Sequence, residues 1–402
     1  MTITQLPPLS LYIHFPWCVK KCPYCDFNSH TAKQSIPEDD YINALIADLE
    51  QELPSVWGRS ITSIFIGGGT PSLMSVQAVD KLLSGIRARL PFLSDIEITM
   101  EANPGAVEAN KFKGYFDSGV NRISIGVQSF DDHFLAELGR IHSSDEAHRA
   151  IEIARQAGFQ NINIDLMYAL PGQSIEQAMK DLTIAIDIKP EHLSWYQLTL
   201  EPNTAFYHQP PKKMATDDLL ADIGELGLEL LESKGYRRYE VSAFSLLGEY
   251  PAWHNTNYWQ FGDYLGIGAG AHGKITRADT QQIIRTSKRR NPKDYLNKEK
   301  SFIDQARIVK PEELPLEFMM NSMRLKNGVD EKLFYQTTGM LLSQIEQPIK
   351  KCIDRGLMFQ NNNMILPSKT GFKFLNEILS EFTDDHFKYL SDENKITIKE
   401  VT

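Results

Sequence analysis

Residues 11–30 read LYIHFPWCVKKCPYCDFNSH and contain three of the four cysteines of the chain. Cys18, Cys22 and Cys25 follow the spacing C-x3-C-x2-C, whereas Cys352 is far away in the sequence. A loop of this length can bring three thiolates to three corners of a cubane cluster and leave one iron without a protein ligand. Zinc sites usually add a fourth Cys or His at a regular offset, and three clustered thiols do not favour disulfides. The spacing therefore favours a [4Fe–4S] cluster over a zinc site or plain buried thiols.

Around this loop, residues 9–245 alternate short apolar runs with longer amphipathic stretches, which is typical of βαβ units in a parallel sheet. The predicted strands are 10–14, 61–66, 96–101, 122–127, 161–166 and 193–199. The helices predicted between them are 39–53, 75–89, 108–118, 145–157 and 174–187. The pattern predicts an α/β fold, an incomplete TIM-like (β/α)6 barrel. Ligands bind at the C-terminal ends of such strands, and the first predicted strand ends at the cysteine loop.

Chemically useful residues follow the later strands as well. The second strand runs into GGGTP at residues 67–71, whose glycines let the backbone approach a ligand or simply make a tight turn. The third ends at Glu101, which could bind a ligand or cap a helix. Asp165 follows an apolar run, and Arg140 is a natural partner for it. The sixth strand adds further candidates near the same mouth: Tyr196, Gln197 and Thr199.

The second half of the chain has one more informative motif. Residues 253–259, WHNTNYW, crowd His254 among aromatic rings, a composition suited to a flat macrocycle with an axial histidine ligand. An ordinary hydrogen-bonded histidine is the alternative. Ahead of this motif, residues 217–234 read as a helix and 239–244 as a strand.

The C-terminal part predicts a separate helical, winged-helix-like domain. Its helices are expected at 314–324, 330–338, 341–355 and 370–381, with a hairpin at 356–366. Cys352 lies on an apolar helix face and reads as a core residue. We expect a barrel at residues 1–245, a connecting segment at 246–290 and the helical domain at 291–402.

Composition excludes several classes of function. The net charge of −10 argues against binding to nucleic acid, and the basic run 288–290 reads as solvated surface. No apolar run approaches the roughly 20 residues that span a bilayer, so we expect no stable membrane insertion. The N-terminal stretch lacks the features of a signal peptide. An iron–sulfur cluster needs a reducing compartment, so a cytoplasmic location is expected.

The cysteine spacing, with Tyr24 before the last cysteine, resembles the signature of the radical S-adenosylmethionine (SAM) superfamily. The lead-in YIHFPWC is similar to that of oxygen-independent coproporphyrinogen III oxidases and their relatives. The resemblance implies that SAM chelates the open iron of the cluster. By motif, it implies SAM contacts for Tyr12, Gly68, Gly69, Thr70 and Glu101. It further implies that Gln128, Arg140 and Asp165 match positions where the oxidase branch holds a second SAM.

Two departures separate this sequence from the oxidase branch. That branch has a fourth cysteine two residues beyond the third, where this chain has Phe27, and a longer N-terminal arm. The HNxxYW pattern resembles one linked to haem in a haem-chaperone branch, which makes His254 a candidate haem ligand. The leading hypothesis is therefore a chaperone that hands haem to apo-haemoproteins such as those of respiratory chains.

Two enzyme classes remain as alternatives. Retention of Gln128, Arg140 and Asp165 favours a coproporphyrinogen III oxidase, a radical SAM oxidative decarboxylase. A radical SAM enzyme that modifies tRNA is less favoured, because a basic face is missing from the sequence. A homodimer is compatible with either function.

Overall fold

The computed structural model describes residues 3, 5–32, 35–105 and 109–388. Within these residues a sheet of twelve strands forms the core of the fold. From one edge to the other its strands are Ile303–Ile308, Gln282–Lys288, His272–Arg277, Asp263–Ile267, Leu9–Phe15, Ile61–Gly68, Phe92–Ala102, Arg122–Gln128, Ile162–Tyr168, His192–Gln197, Ala243–Leu246 and Tyr236–Glu240. The seven strands from Asp263–Ile267 to His192–Gln197 run parallel. All six predicted barrel strands are therefore confirmed, and Asp263–Ile267 adds a seventh.

The alternation of residues along the first strand explains the two faces of this sheet. Leu9, Leu11 and Ile13 are at most 1% exposed and belong to the main apolar core. The intervening Ser10 faces the other side, where its hydroxyl lies 2.8 Å from that of Ser63 on the next strand. Because side chains alternate along a strand, the barrel interior is polar and its outer face is apolar.

Helices cover that apolar face between consecutive parallel strands. They are Glu38–Glu52, Val76–Arg87, Phe112–Ser118, Ser144–Ala157 and Ile175–Asp187. The last two of these helices begin with capping boxes. In each, the side chain of Ser143 or Ser174 accepts a hydrogen bond from the backbone N–H three residues later in the sequence. The start of the predicted helix 108–118 lies at Glu108, outside the described residues. Shorter helices that the periodicity did not predict are Asp132–Glu137 and Ala205–His208.

The segment after the barrel differs in detail from the prediction. Asp217–Ser233 is helical as expected. The single strand predicted at 239–244 is wrong, because the chain turns there and forms two antiparallel strands, Tyr236–Glu240 and Ala243–Leu246. The sheet also continues past residue 290, where the sequence placed a boundary, because Ile303–Ile308 pairs with Gln282–Lys288.

A second apolar cluster contains Cys352, which is fully buried. Most of its members lie at Val309 or beyond, and Ile3, Phe261 and Ile283 join them. Its helices are Leu314–Ser322, Glu331–Thr338 and Glu346–Asp354, beside a small sheet of Val329–Asp330, Met364–Pro367 and Met358–Asn361. Three helices and a small sheet agree with the predicted winged-helix-like region. The predicted helix 370–381 is instead broken into Lys369–Lys373, Leu375–Leu379 and a 3-10 turn, Ser380–Phe382.

Short elements complete the described chain: the strands Trp17–Cys18 and His30–Thr31, the helices Trp253–Trp259 and Pro292–Tyr295, and the 3-10 turns Leu53–Ser55, Pro71–Leu73, Pro311–Glu313, Leu342–Gln344 and Asp384–Phe387. None of the helices in the described residues combines the length and apolar character needed to cross a bilayer.

Lys288 is buried, which corrects the prediction that the run 288–290 is solvated. Its side chain is 1% exposed, and Nζ lies 2.5 Å from both Asp48 Oδ1 and Glu52 Oε1. Asp48 also accepts a bond from the Tyr295 hydroxyl at 2.6 Å. The three charges tie the added antiparallel strands to the helix Glu38–Glu52.

Replacing Lys288 should destabilise the fold strongly. Lys288→Met leaves two buried carboxylates without their cation, and breaking such a pair costs about 3–5 kcal/mol. The free energy of unfolding, measured by urea denaturation, tests this. Lys81→Met removes the exposed pair with Asp39, and it should cost less than about 1 kcal/mol. Equal losses in the two variants would contradict the structural role of Lys288.

Candidate functional site

The cysteine loop lies at the C-terminal ends of the parallel strands. The first strand ends at Phe15, and Trp17–Cys18 then pairs with His30–Thr31, which closes the base of the loop. Cys18, Cys22 and Cys25 are free thiols that line one cavity of about 420 Å³. This volume falls within the roughly 300–1,000 Å³ of small-molecule sites.

Asn28 fixes the far end of the loop. Its side-chain amide donates to the carbonyls of Ala269 at 2.8 Å and Arg290 at 2.9 Å. Its own carbonyl lies 2.9 Å from Nε2 of His14. The sequence interpretation did not single out Asn28, because the two carbonyls that its side chain contacts are more than 200 residues away.

The GGGTP segment packs directly against the cysteine loop. Gly69 N–H donates to the Phe15 carbonyl, and Thr70 N–H donates to the Trp17 carbonyl. Gly68 has φ +113°, and a Cβ there would lie 2.6 Å from Cε1 of His14. A Cβ on Gly69 would lie 2.5 Å from the Trp17 carbonyl oxygen. These glycines are therefore required for the two loops to meet, and Gly68, Gly69 and Thr70 all line the cavity.

Glu101 contributes a carboxylate to the cavity wall. It accepts a bond from Gly68 N–H at 3.1 Å. Burial, and next the charge of Asp165, raises the pKa of Glu101 to about 8. The carboxyl is thus held largely protonated near neutral pH, and a bound cation would favour its ionised form.

Asp165 and Arg140 line the same cavity, but they do not form the predicted ion pair. Asp165 accepts from Ser124 Oγ and Asn163 Nδ2, and burial raises its pKa. Arg140 donates instead to Asn103 Oδ1 and the Gly126 carbonyl, both at 2.8 Å. Its other terminal nitrogen lies 3.6 Å from Cys22 Sγ. The predicted Arg140–Asp165 ion pair is wrong, because Asp165 accepts its hydrogen bonds from neutral donors. The Arg140 guanidinium faces the cysteine loop instead.

Gln128 also lines the cavity, at an irregular point of its strand. Its φ of +71° is unusual for a residue other than glycine. The Tyr196 hydroxyl donates to Gln128 Oε1 at 2.7 Å. Tyr196, Gln197 and Thr199, predicted near this mouth, all lie on the cavity wall.

Tyr12 lies deeper in the barrel than the cysteines. Because a carbonyl accepts the bond from His14 Nε2, His14 Nδ1 is free to accept from the Tyr12 hydroxyl at 2.9 Å. Burial raises the pKa of Tyr12, so its hydroxyl stays protonated. Tyr12 is not among the residues that line the cysteine cavity, and its ring contacts those of Phe65 and His254.

His254 belongs to the opposite end of the barrel. It is 1% exposed on the helix Trp253–Trp259. Nδ1 lies 3.1 Å from the Ser63 hydroxyl, and Nε2 lies 2.8 Å from the Tyr258 hydroxyl. Asn257 from the same helix donates to Ser10. Ser10 and Ser63 lie near the starts of their strands, so this helix closes the N-terminal end and places His254 away from the cysteines.

Comparison with known proteins identifies the superfamily and the fold. Residues 12–183 match the Radical SAM superfamily, and residues 309–374 match the HemN C-terminal domain. Coproporphyrinogen III oxidase HemN from Escherichia coli, a radical SAM enzyme, has the same fold, with a TM-score of 0.79 and 23% identity over 94% of this chain and 90% of that one. Fold, cysteine loop and sequence match together define a radical SAM protein, a class that implies a [4Fe–4S] cluster and SAM.

The relatives that match over nearly the whole chain indicate a single family within this superfamily. The haem chaperone HemW of Escherichia coli is 49% identical over 94% of this chain and 99% of its own length. HemW of Haemophilus influenzae is 48% identical over 94% and 98%, and HemW of Bacillus subtilis is 34% identical over 93% and 99%. The chain belongs to the HemW haem chaperone family.

The raised pKa of Glu101 should make stability depend on pH. The unfolded carboxyl ionises near pH 4.3, and the folded one near pH 8. Between these values the folded state binds more protons, so stability should fall as pH rises, by at most about 1.4 kcal/mol per unit. Glu101→Gln should remove this slope from urea unfolding measured on cluster-free protein between pH 5 and 8.

Glu50→Gln is the matched control, because Glu50 lies in an exposed pair with Arg89. It should keep the slope of the unaltered protein. Parallel pH profiles for Glu101→Gln and the unaltered protein would show that Glu101 ionises normally in the fold.

Proposed function

We propose that this protein is a haem chaperone that binds haem together with a SAM-coordinated [4Fe–4S] cluster and transfers the haem to apo-haemoproteins. The observation that carries the proposal is the full-length similarity to HemW chaperones, at 49% identity to the Escherichia coli protein. The free thiols at the mouth of a radical SAM barrel support it from the structure.

Cys18, Cys22 and Cys25 would hold the cluster. In the described residues, no three His, Cys, Asp or Glu side chains converge as ligands of a single metal ion. A cubane instead spreads its thiolates over separate irons, and three free thiols around one cavity suit that arrangement. Burial raises the pKa of Cys18 and Cys25, so metal binding would release their protons.

SAM would lie between the cysteine loop and the GGGTP backbone, where Gly68, Gly69 and Thr70 border the cavity. Glu101 would accept hydrogen bonds from its ammonium group, and Tyr12 would support the site from below. A cluster with bound SAM supplies one-electron chemistry. Gln128, Arg140 and Asp165 would hold a second SAM, although Arg140 already contacts Cys22.

The haem acceptors would be apo-haemoproteins, including respiratory ones, in the cytoplasm. The net charge of −10 supports a protein or small-molecule partner over nucleic acid. A homodimer would be compatible with this role.

Coproporphyrinogen III oxidation is the second candidate. The fold shared with HemN and the presence of Gln128, Arg140 and Asp165 around one cavity favour it. Phe27 weakens it, because this residue lines the cavity where the oxidase branch carries a fourth cysteine.

Loss of one cluster ligand should abolish the cluster. Cys22→Ala should lose iron and sulfide after anaerobic reconstitution, together with the broad visible absorption, because two thiolates cannot replace three. Cys352→Ala should retain both iron and sulfide, since Cys352 is buried in the apolar core of the C-terminal region. Zinc without iron or sulfide in the unaltered protein would overturn the cluster assignment.

The same reconstituted protein decides between the two functions. We expect it to bind haem and pass it to an apo-haemoprotein, without turnover of coproporphyrinogen III in the presence of SAM and a reductant. Release of carbon dioxide and formation of protoporphyrinogen would establish the oxidase instead.

The sequence motif makes His254 a candidate haem ligand, but the hydrogen bonds of both its ring nitrogens at the barrel floor favour a structural role. To bind iron, it would have to lose its hydrogen bond to Ser63 or Tyr258, and the helix Trp253–Trp259 would have to leave the barrel floor. Haem ligation by His254 would therefore require the loss of a hydrogen bond and a movement of this helix.

His254→Ala separates ligation from structural support. Because both ring nitrogens are already bonded, we expect a loss of stability of about 1–3 kcal/mol and an unchanged Soret band for bound haem. His386→Ala, at an exposed site, should change neither. A shifted Soret band with weaker haem binding and intact cluster iron would establish the ligation.

A further inference from the structure

A second pocket of about 210 Å³ adjoins the cysteine cavity. It lies between the start of the cysteine loop and the segment that follows the helix Asp132–Glu137. Gly139 has φ +69°, and a Cβ there would lie 2.9 Å from Pro23, so this glycine lets the two segments approach. Lys20, Cys22, Asn103 and Arg140 border both pockets, so the two pockets lie side by side.

The rim of this pocket exposes apolar side chains. Val19 is 49% exposed and Ile141 is 58% exposed, and they lie on the two segments that form the pocket. Because both border the same concave site, a ligand that enters it would cover them.

The charges at the rim favour an anion. Lys20 is exposed and lines the pocket, and it forms no ion pair within the described part of the chain. The acidic side chain at the pocket, Glu146, already accepts a bond from Ser143 N–H at 3.0 Å. Arg140 is held by Asn103 and Gly126. The cation that remains for a ligand is therefore Lys20.

His142 adds a neutral ring to the wall. Its Nε2 lies 3.0 Å from the Val127 carbonyl, which can only accept, so Nε2 carries the proton. Burial and the nearby Arg140 lower the pKa of His142 to about 4. The wall thus combines a neutral ring with two apolar side chains, and one cation stands at its edge.

We propose that this pocket receives the propionate-bearing edge of haem, with Val19 and Ile141 against the macrocycle and Lys20 beside a carboxylate. The ligand has flat apolar faces and two carboxylates, which match the apolar rim and the free cation. The volume is below the range of sites that enclose a whole small molecule, so an edge enters and the remainder stays accessible. An accessible remainder suits a ligand that is to be handed on.

The inference rests on the proposed haem-chaperone function and names the site of its cargo. The test uses full-length protein with reconstituted cluster and follows the Soret band during titration with iron protoporphyrin IX. Ile141→Glu should weaken binding about tenfold, since burial of one aliphatic side chain is worth roughly 1.4 kcal/mol or more. Lys20→Glu should weaken binding several-fold, because it replaces an attraction to the carboxylate by a repulsion. Cluster iron should be unchanged in both.

Matched controls lie outside the pocket. Lys298→Glu makes the same charge change at an exposed site, and Leu341→Glu replaces a side chain that is 60% exposed in the C-terminal region. Both should bind haem like the unaltered protein.

The dimethyl ester of the same haem isolates the carboxylate contact. With this ligand, Lys20→Glu should bind like the unaltered protein, while Ile141→Glu should still bind about tenfold more weakly. Equal affinity of the unaltered protein and both variants for iron protoporphyrin IX would overturn the pocket assignment and leave the chaperone function standing. Failure of the unaltered protein to bind or transfer haem would overturn the function itself.

Discussion

The backbone of residues 67–70 rests directly on the backbone of residues 15–17, and the arrangement of the site depends on that contact. Two hydrogen bonds join the segments, from Gly69 to Phe15 and from Thr70 to Trp17. A side chain at Gly68 or Gly69 would occupy the positions of His14 or Trp17. Because nothing separates the two segments, the cysteine thiols and the glycine backbone face one cavity, as a ligand bound to both requires.

The two ends of the barrel have different chemistry. At the C-terminal end, Glu101 and Asp165 are carboxyls whose pKa values are raised by burial, and the wall there is open to a ligand. At the N-terminal end, the helix Trp253–Trp259 fills the interior, and its polar groups bond to Ser10 and Ser63. A polar interior can be stable only if it is filled by hydrogen-bonded protein groups or by ligand. The protein fills one end and leaves the other for chemistry.

Residues from the second half of the chain hold the cysteine loop from outside. Asn28 donates to carbonyls at Ala269 and Arg290. Close by, Lys288 is paired with Asp48 and Glu52, which anchors the strand Gln282–Lys288 to the first helix. The segments beside the antiparallel strands beyond the barrel are thus part of the support for the loop.

Local pattern was enough to predict the cysteine loop, the six barrel strands and most of the helices between them, because spacing and periodicity are properties of neighbouring residues. The resemblance to the radical SAM superfamily, and not local pattern, predicted Gly68, Gly69, Glu101, Gln128 and Asp165, which lie at or just beyond the ends of predicted strands and do line the cavity. Tertiary structure alone decided the partners: Arg140 turns to Cys22 and not to Asp165, and Lys288 is buried between two carboxylates. It also placed His254 at the barrel floor, since a composition of one imidazole among aromatic rings indicates what can pack together but not at which depth. The depth of a side chain in the barrel and its hydrogen-bond partners depend on residues that are far apart in the sequence, so only the folded sheet determines them.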